Sequence, residues 1–235
     1  MTSYTSKNDS PTNEQVSKGQ SVLERWKAGE KVDLESVERF GIDRCFESVA
    51  INEAIFNRIY KKSFKEGCTS KREDLRYLKV LHYNIEQEIC LGEIICNKDL
   101  STDLIEIFKA LYKAKYPIER MVLIDEYNAD DERSMRANNS SSFNFRFISG
   151  TSKLSNHSMG YAIDINPRYN PYVKEVNGKI VYSPDNAKEY IDRSANFPYK
   201  IDHDDLCFKE FKKRGFTWGG DWTRSKDYQH FEKTK

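Results

Sequence analysis

Residues 155–166 read SNHSMGYAIDIN, and the last six of them decide the fold class. In 161–166, Ile163 and Ile165 alternate with Ala162 and Asp164, the period of a strand that sends successive side chains to opposite faces. The isoleucines point into a core. An ionised carboxylate between them is costly unless it is paired or holds a metal. Gly160 lets the backbone fold back just before the strand, so His157 comes within reach of the point that Asp164 faces.

Working outward, helical and extended patterns mix without a repeating strand–helix–strand order. Ile51, Ala54, Ile55 and Ile59 recur at helical spacing, which predicts a helix over 47–60. Residues 75–84 (LRYLKVLHYN), 93–97 (EIICN) and 121–127 (MVLIDEY) read as strands. Ser101 reads as the cap of a helix whose face carries Leu104, Phe108, Leu111 and Tyr112 and which Pro117 stops. Residues 130–144 (DDERSMRANNSSSFN) read as a polar loop, and 184–193 and 205–213 as helices. Short connections between such elements imply an α+β domain with a small, mainly antiparallel sheet flanked by helices. Residues 46–235 form that domain in this reading. Residues 1–45 form a polar, partly mobile extension with one short helix near 21–27.

The chain holds four histidines, His82, His157, His203 and His230. His82, inside a strand, and His203, in IDHDD, read as ordinary core or surface residues, with His203 also placed to help line a site. His230 lies in DYQHFE, three positions after Asp227. Two imidazoles and one carboxylate suit a hydrolytic metal site, in which three protein ligands leave a coordination position open for water. His157, Asp164 and His230 supply that set. Asp227 is a spare carboxylate able to take a proton from the water and return it to a leaving group. Spacing alone weighs equally for such a site and for unrelated core and surface residues, because neither half is a helix-borne H-E-x-x-H pattern.

Composition removes other classes. Lys+Arg (38) and Asp+Glu (37) leave a net charge of +1, which gives no electrostatic reason to expect nucleic acid. No apolar run is long enough for a transmembrane segment. The first residues lack the apolar core of a secretory signal, so the expected location is periplasmic or cell-envelope with a signal removed, or else cytoplasmic. Five scattered cysteines read as buried apolar residues, with a Cys90–Cys96 bridge as a weaker alternative.

Two stretches also carry a resemblance. Ser155-Asn-His157-Ser-Met-Gly160-Tyr-Ala162-Ile-Asp164 resembles the S-x-H-x-x-G-x-A-x-D motif of the D-alanyl-D-alanine carboxypeptidase and L-alanyl-D-glutamate endopeptidase superfamily, the VanY-type zinc peptidases. Trp218-Gly-Gly-Asp-Trp222 followed by Asp227-Tyr-Gln-His230-Phe-Glu232 is similar to its W-G-G-x-W … D-x-x-H-F-E ending. The likeness runs from about residue 118 to 232, and less clearly back to Phe46. It implies a hedgehog/DD-peptidase-like fold. It further implies Zn2+ on His157, Asp164 and His230, with Asp227 as general base and then acid. Arg146 would steady the scissile carbonyl or clamp a substrate carboxylate; Ser155 and Trp222 would contact substrate or support the site. The implied substrates are peptidoglycan stem peptides, cut at the D-Ala–D-Ala or the L-Ala–D-Glu bond. The competing class is a zinc-containing wall- or protein-binding module without catalysis, which would have no need of Asp227 and Arg146.

Overall fold

The computed structural model describes residues 22–148 and 150–234. Its largest sheet is four-stranded and antiparallel, in the order β1-β4-β3-β2. These strands are β1 (Lys31–Val32), β2 (Glu47–Ala50), β3 (Leu75–Tyr83) and β4 (Ile89–Asn97). Strands β3 and β4 pair along their whole length, from Leu75↔Asn97 to Tyr83↔Ile89. The period of two splits their side chains between two apolar clusters: Leu78 and Ile94 join one, while their neighbours Tyr77 and Ile95 join the other. Helix α3 (Ser101–Lys113) covers the first face with Leu104, Phe108 and Leu111. Helix α2 (Glu53–Ile59) belongs to the second, through Ile59.

Several local elements depart from expectation. Residues 47–50 form strand β2, paired with β3, before Asn52 caps the shorter helix α2, so a tertiary ladder overrides the helical periodicity there. Residues 121–123 are extended but lie outside any ladder strand, and Ile124–Tyr127 is a 3-10 turn. Only a 3-10 turn at Lys188–Tyr190 occupies the helix expected over 184–193, and none of its residues is buried. The helix near the C-terminus is α5 (Leu206–Lys213), capped by Asp205. All five cysteines are free. Residues 1–21 lie outside the described residues. Residues 22–45, placed by the sequence in the polar extension, contribute Leu23, Trp26, Val32, Val37 and Cys45 to the core.

The largest difference concerns 130–144. Asp130 caps a short helix, α4 (Asp131–Arg136), and the Asn- and Ser-rich run that follows is a loop, as expected, but a largely buried one. It threads between the large sheet and a smaller one. Phe143 N–H donates to the Ile95 carbonyl, Ser141 exchanges backbone hydrogen bonds with Asp164, and Asn144 N–H donates to the His157 carbonyl. Its amides take the place of ladder partners. Asn139 Oδ1 accepts from Val122 N–H at 2.9 Å, and Asn139 Nδ2 donates to the Val122 carbonyl at 3.0 Å and to Ser134 Oγ at 3.0 Å. Hydropathy reads such a run as solvent-facing because it cannot see that side-chain amides satisfy buried backbone groups.

Two three-stranded antiparallel sheets complete the fold, β5-β10-β8 and β7-β6-β9. The first joins β5 (Ala162–Asp164), β10 (His230–Glu232) and β8 (Thr217–Trp218); the second joins β6 (Tyr172–Val176), β7 (Lys179–Ser183) and β9 (Lys226–Asp227). Phe211 of α5 stacks on Phe231 of β10 at 4.2 Å between ring centroids, which fixes the C-terminal strand against the core. The architecture is thus α+β with antiparallel sheets, as expected. Replacing Asn139 with Ala strands both polar groups of Val122 in the interior. The variant is expected to lose about 2–3 kcal/mol of unfolding free energy, measured by urea denaturation.

Candidate metal centre

The register of β5 against β10 sets Asp164 directly opposite His230. His157 comes from a 3-10 turn, Asn156–Met159, that ends one residue before Tyr161 leads into β5. Ser155 caps this turn: its Oγ accepts from His157 N–H at 3.3 Å, and its own N–H donates to the Arg146 carbonyl at 3.1 Å. Gly160 closes the turn with φ +70°, and a Cβ there would lie 2.5 Å from Asn97 N. Only glycine fits that position. Gly219 is needed for a different reason. A Cβ on it would meet the Asp227 carbonyl oxygen at 2.5 Å and the His230 Cβ at 3.2 Å, so the Trp218-Gly-Gly turn passes closely over the segment that carries both residues.

These elements bring the three expected ligands together. His157 Nε2 lies 3.2 Å from Asp164 Oδ2 and 3.2 Å from His230 Nδ1, and His230 Nδ1 lies 3.1 Å from Asp164 Oδ1. The edges of a tetrahedron with ligand bonds of 2.0–2.1 Å are about 3.3 Å long. The two histidines reach different oxygens of Asp164; with one ligand atom taken from each residue, the three lie within 4.8 Å of one another, close enough to share one ion. All three residues are buried.

The far nitrogen of each imidazole is engaged as well. His157 Nδ1 is 2.6 Å from the Ser142 carbonyl, and His230 Nε2 is 3.0 Å from Glu232 Oε2. A carbonyl and a carboxylate can only accept, so each ring donates its outer N–H, and the inner nitrogen is the one free to bind a cation once it carries no proton. The triad fits a divalent cation by distance, donor chemistry and tautomer, and these residues could hold one.

Electrostatics within the centre are strongly coupled. Burial works against charge on Asp164, but the flanking imidazoles of His157 and His230 outweigh it and hold the carboxyl well below the usual range. Burial likewise opposes a proton on His230, yet hydrogen bonds to Asp164 and Glu232 raise its pKa to about 10. Asp227 behaves in the opposite way. Burial pushes its carboxyl up to about 6, the nearby Asp164 charge adds to that, and the two histidines offset part of it. Its Oδ1 is buried without a protein hydrogen-bond partner. Asp227 pairs with Tyr172 of β6, so the third sheet supports it.

Of the other predicted residues, Trp222 and Ser155 contact residues of this centre. Arg146 is half-buried; its Nε forms an ion pair with Asp131, which Asn144 Nδ2 also contacts at 3.0 Å. The Arg146 backbone is held by Ser158, one residue after His157. The Trp222 ring sits 5.2 Å from the His230 ring and forms one wall of the centre. Ser155 is buried and occupied in capping. His82 is buried against the Ile118 carbonyl, and burial lowers its pKa to about 4. His203 is exposed and pairs with Asp221 at 2.8 Å. Sequence reasoning gave no role to Ser142, Asn156 or Glu232. Glu232 stood in the D-x-x-H-F-E ending, two residues past His230 and on the same strand face. Ser142 acts through its backbone carbonyl and left no side-chain signal.

The chain matches no curated protein and no solved structure. Among the described residues no helix is long and apolar enough to cross a membrane. Residues 149–233, which contain all three donors, Asp227 and Trp222, match the family model described as D-alanyl-D-alanine carboxypeptidase, and so bear out the resemblance carried by the two motifs.

Proposed function

We propose that this chain is a zinc-dependent peptidase that hydrolyses stem peptides of peptidoglycan, at the terminal D-Ala–D-Ala bond or the internal L-Ala–D-Glu bond, on a hedgehog/DD-peptidase-like fold. One observation carries the proposal: two imidazoles and a carboxylate whose ligand atoms lie within 4.8 Å of one another, with Asp227, whose Oδ1 is buried without a protein hydrogen-bond partner, close in sequence to His230. The match over residues 149–233 supplies the peptidase class. Such a substrate places the work of the protein in the periplasm or cell envelope.

His157, Asp164 and His230 would hold zinc, which when bound supplies a Lewis acid that polarises the scissile carbonyl and makes water more acidic. Asp227 takes the proton of the attacking water. The same carboxyl, now protonated, delivers that proton to the departing amine as the C–N bond breaks. An environment that holds this group near neutrality suits both halves of the transfer. Arg146, anchored by Asp131, presents its remaining guanidinium N–H groups to the carbonyl oxygen as negative charge builds or to a substrate carboxylate. Trp222 walls the centre beside His230 and limits water around it. Ser155 acts by fixing the turn that carries His157.

Asp227→Asn is expected to keep zinc, measured by metal analysis, and to lose muropeptide hydrolysis by about 10²–10⁴-fold. Mass spectrometry of digested peptidoglycan identifies the new termini and so the bond. Bound zinc with no new termini would favour the non-catalytic module instead.

Two pH dependences follow. Hydrolysis needs Asp227 ionised, and its pKa of about 6 without metal is lowered further by a bound cation. The acid limb of kcat/KM is therefore expected at or below about pH 6, with the rate falling as pH drops. Zinc binding must displace the proton that His230 holds up to about pH 10. Affinity should thus rise with pH below that value. Calorimetry in buffers of differing ionisation enthalpy should show roughly one proton released per zinc near neutrality.

A further inference from the structure

Glu232 lies beyond the three metal-binding side chains, yet one of its oxygens meets both halves of the centre. Oε2 accepts from His230 Nε2 at 3.0 Å and from Asn156 Nδ2 at 2.6 Å. Asn156 immediately precedes His157 and opens the 3-10 turn that carries it. His230 and Glu232 belong to strand β10 and lie on one face of it. The ligand-bearing turn and the ligand-bearing strand are thereby joined at a single carboxylate oxygen, on the side of the imidazoles away from the donor triangle.

The backbone around this contact holds Glu232 in place. Glu232 pairs with Ala162 across β5 and with Thr217 across β8, and its carbonyl accepts from Thr217 Oγ1 at 3.1 Å. Its side chain is partly buried, and the His230 hydrogen bond, the largest influence on it, keeps the carboxyl below the usual range. Asn156 cannot supply a charge, but its amide donor fills an acceptor position that would otherwise be open to water.

We propose that Glu232 is a positioning residue for the metal centre: it fixes His230 with Nδ1 toward the ion and, through Asn156, clamps the His157 turn to the same strand. The inference rests on the metal-peptidase reading above. It concerns orientation rather than contact with metal or substrate.

The test is zinc affinity by competition with a chromophoric chelator, beside thermal unfolding of each metal-free protein. Glu232→Ala removes both hydrogen bonds and should bind zinc about 10–100-fold more weakly. Loss of the two hydrogen bonds lowers the metal-free unfolding temperature whatever their role, so the positioning role is read from the zinc affinity of protein shown to be folded at the assay temperature and from its recovery by the conservative variant. Glu232→Gln keeps an acceptor oxygen in the same place and should recover most of the affinity. Asn156→Ala should lose less than Glu232→Ala. Equal affinity for Glu232→Ala and the unaltered protein would overturn the inference, as would a loss that Glu232→Gln does not recover. If Glu232→Ala does not fold, nitrogen NMR of the unaltered zinc-loaded protein decides: a protonated His230 Nε2 supports the inference, and a metal-bound Nε2 overturns it. His157→Ala separates the two levels. If it binds zinc as well as the unaltered protein, the metal-centre reading fails; if it loses zinc while Glu232→Ala does not, only the positioning role fails.

Discussion

The cross-strand pairing of His230 with Asp164 is the constraint around which the rest of the molecule is arranged. An antiparallel ladder places opposed residues within side-chain reach, so the register alone delivers a carboxylate and an imidazole to one point. A slip of β10 by one residue would turn His230 to the other face of the sheet, into the apolar cluster that holds Ile163 and Phe231, and leave Asp164 without it. The apolar neighbours of the ligands therefore do more than fill space. Phe231 stacked on Phe211 and Ile163 inside the core make the displaced register expensive, and so keep the donors where they are.

His157 needs a separate device because it lies outside any strand. Its turn is fastened by, among others, the Ser155 cap, the left-handed Gly160, the Asn144 N–H to its carbonyl, and the Ser142 carbonyl on its ring. Two of these come from the buried polar run 138–146. That run lies between the large sheet, which it meets at Ile95, and the small sheet, which it meets at Asp164. It transmits the rigidity of a fully paired hairpin, β3 with β4, to a site built from a turn and short strands. Catalytic groups on rigid support keep their geometry better than groups on free loops.

How far the sequence discloses this arrangement depends on which physical signal each residue carries. Asp164 was legible because a charge between two isoleucines breaks a simple pattern and demands a partner. Strand β3 and helix α5 were legible from periodicity and from capping. Most of 130–144 is the loop its turn formers predict, but polarity gave no sign of the helix at its start or of the burial of Asn139, Ser140 and Asn144, which are satisfied by backbone groups distant in sequence. Ser142 was invisible in principle, since its contribution to the centre is a carbonyl that any residue has. The segment 22–45 reads as part of a polar extension because polar residues are dense toward the N-terminus, yet Leu23 and Val37 are almost fully buried. A few well-spaced apolar residues suffice to dock a polar segment.

Three carboxylates stand within this small region, and the environment separates their behaviour. Asp164 lies between two imidazoles and is held ionised. Glu232 is also held ionised, by the outward N–H of His230 and the Asn156 amide. Asp227 has no such donor on its Oδ1, is desolvated and faces the charge of Asp164, so it alone is pushed upward. A carboxylate that binds a metal must be an anion throughout, and a carboxylate that orients an imidazole must accept throughout. A group that takes a proton and gives it back must sit close to the balance point between the two forms. Had Asp227 been paired as Asp164 is, it would be too weak a base to take a proton from water. The one oxygen of Asp227 without a protein hydrogen-bond partner is therefore the feature on which the proposed proton transfer depends.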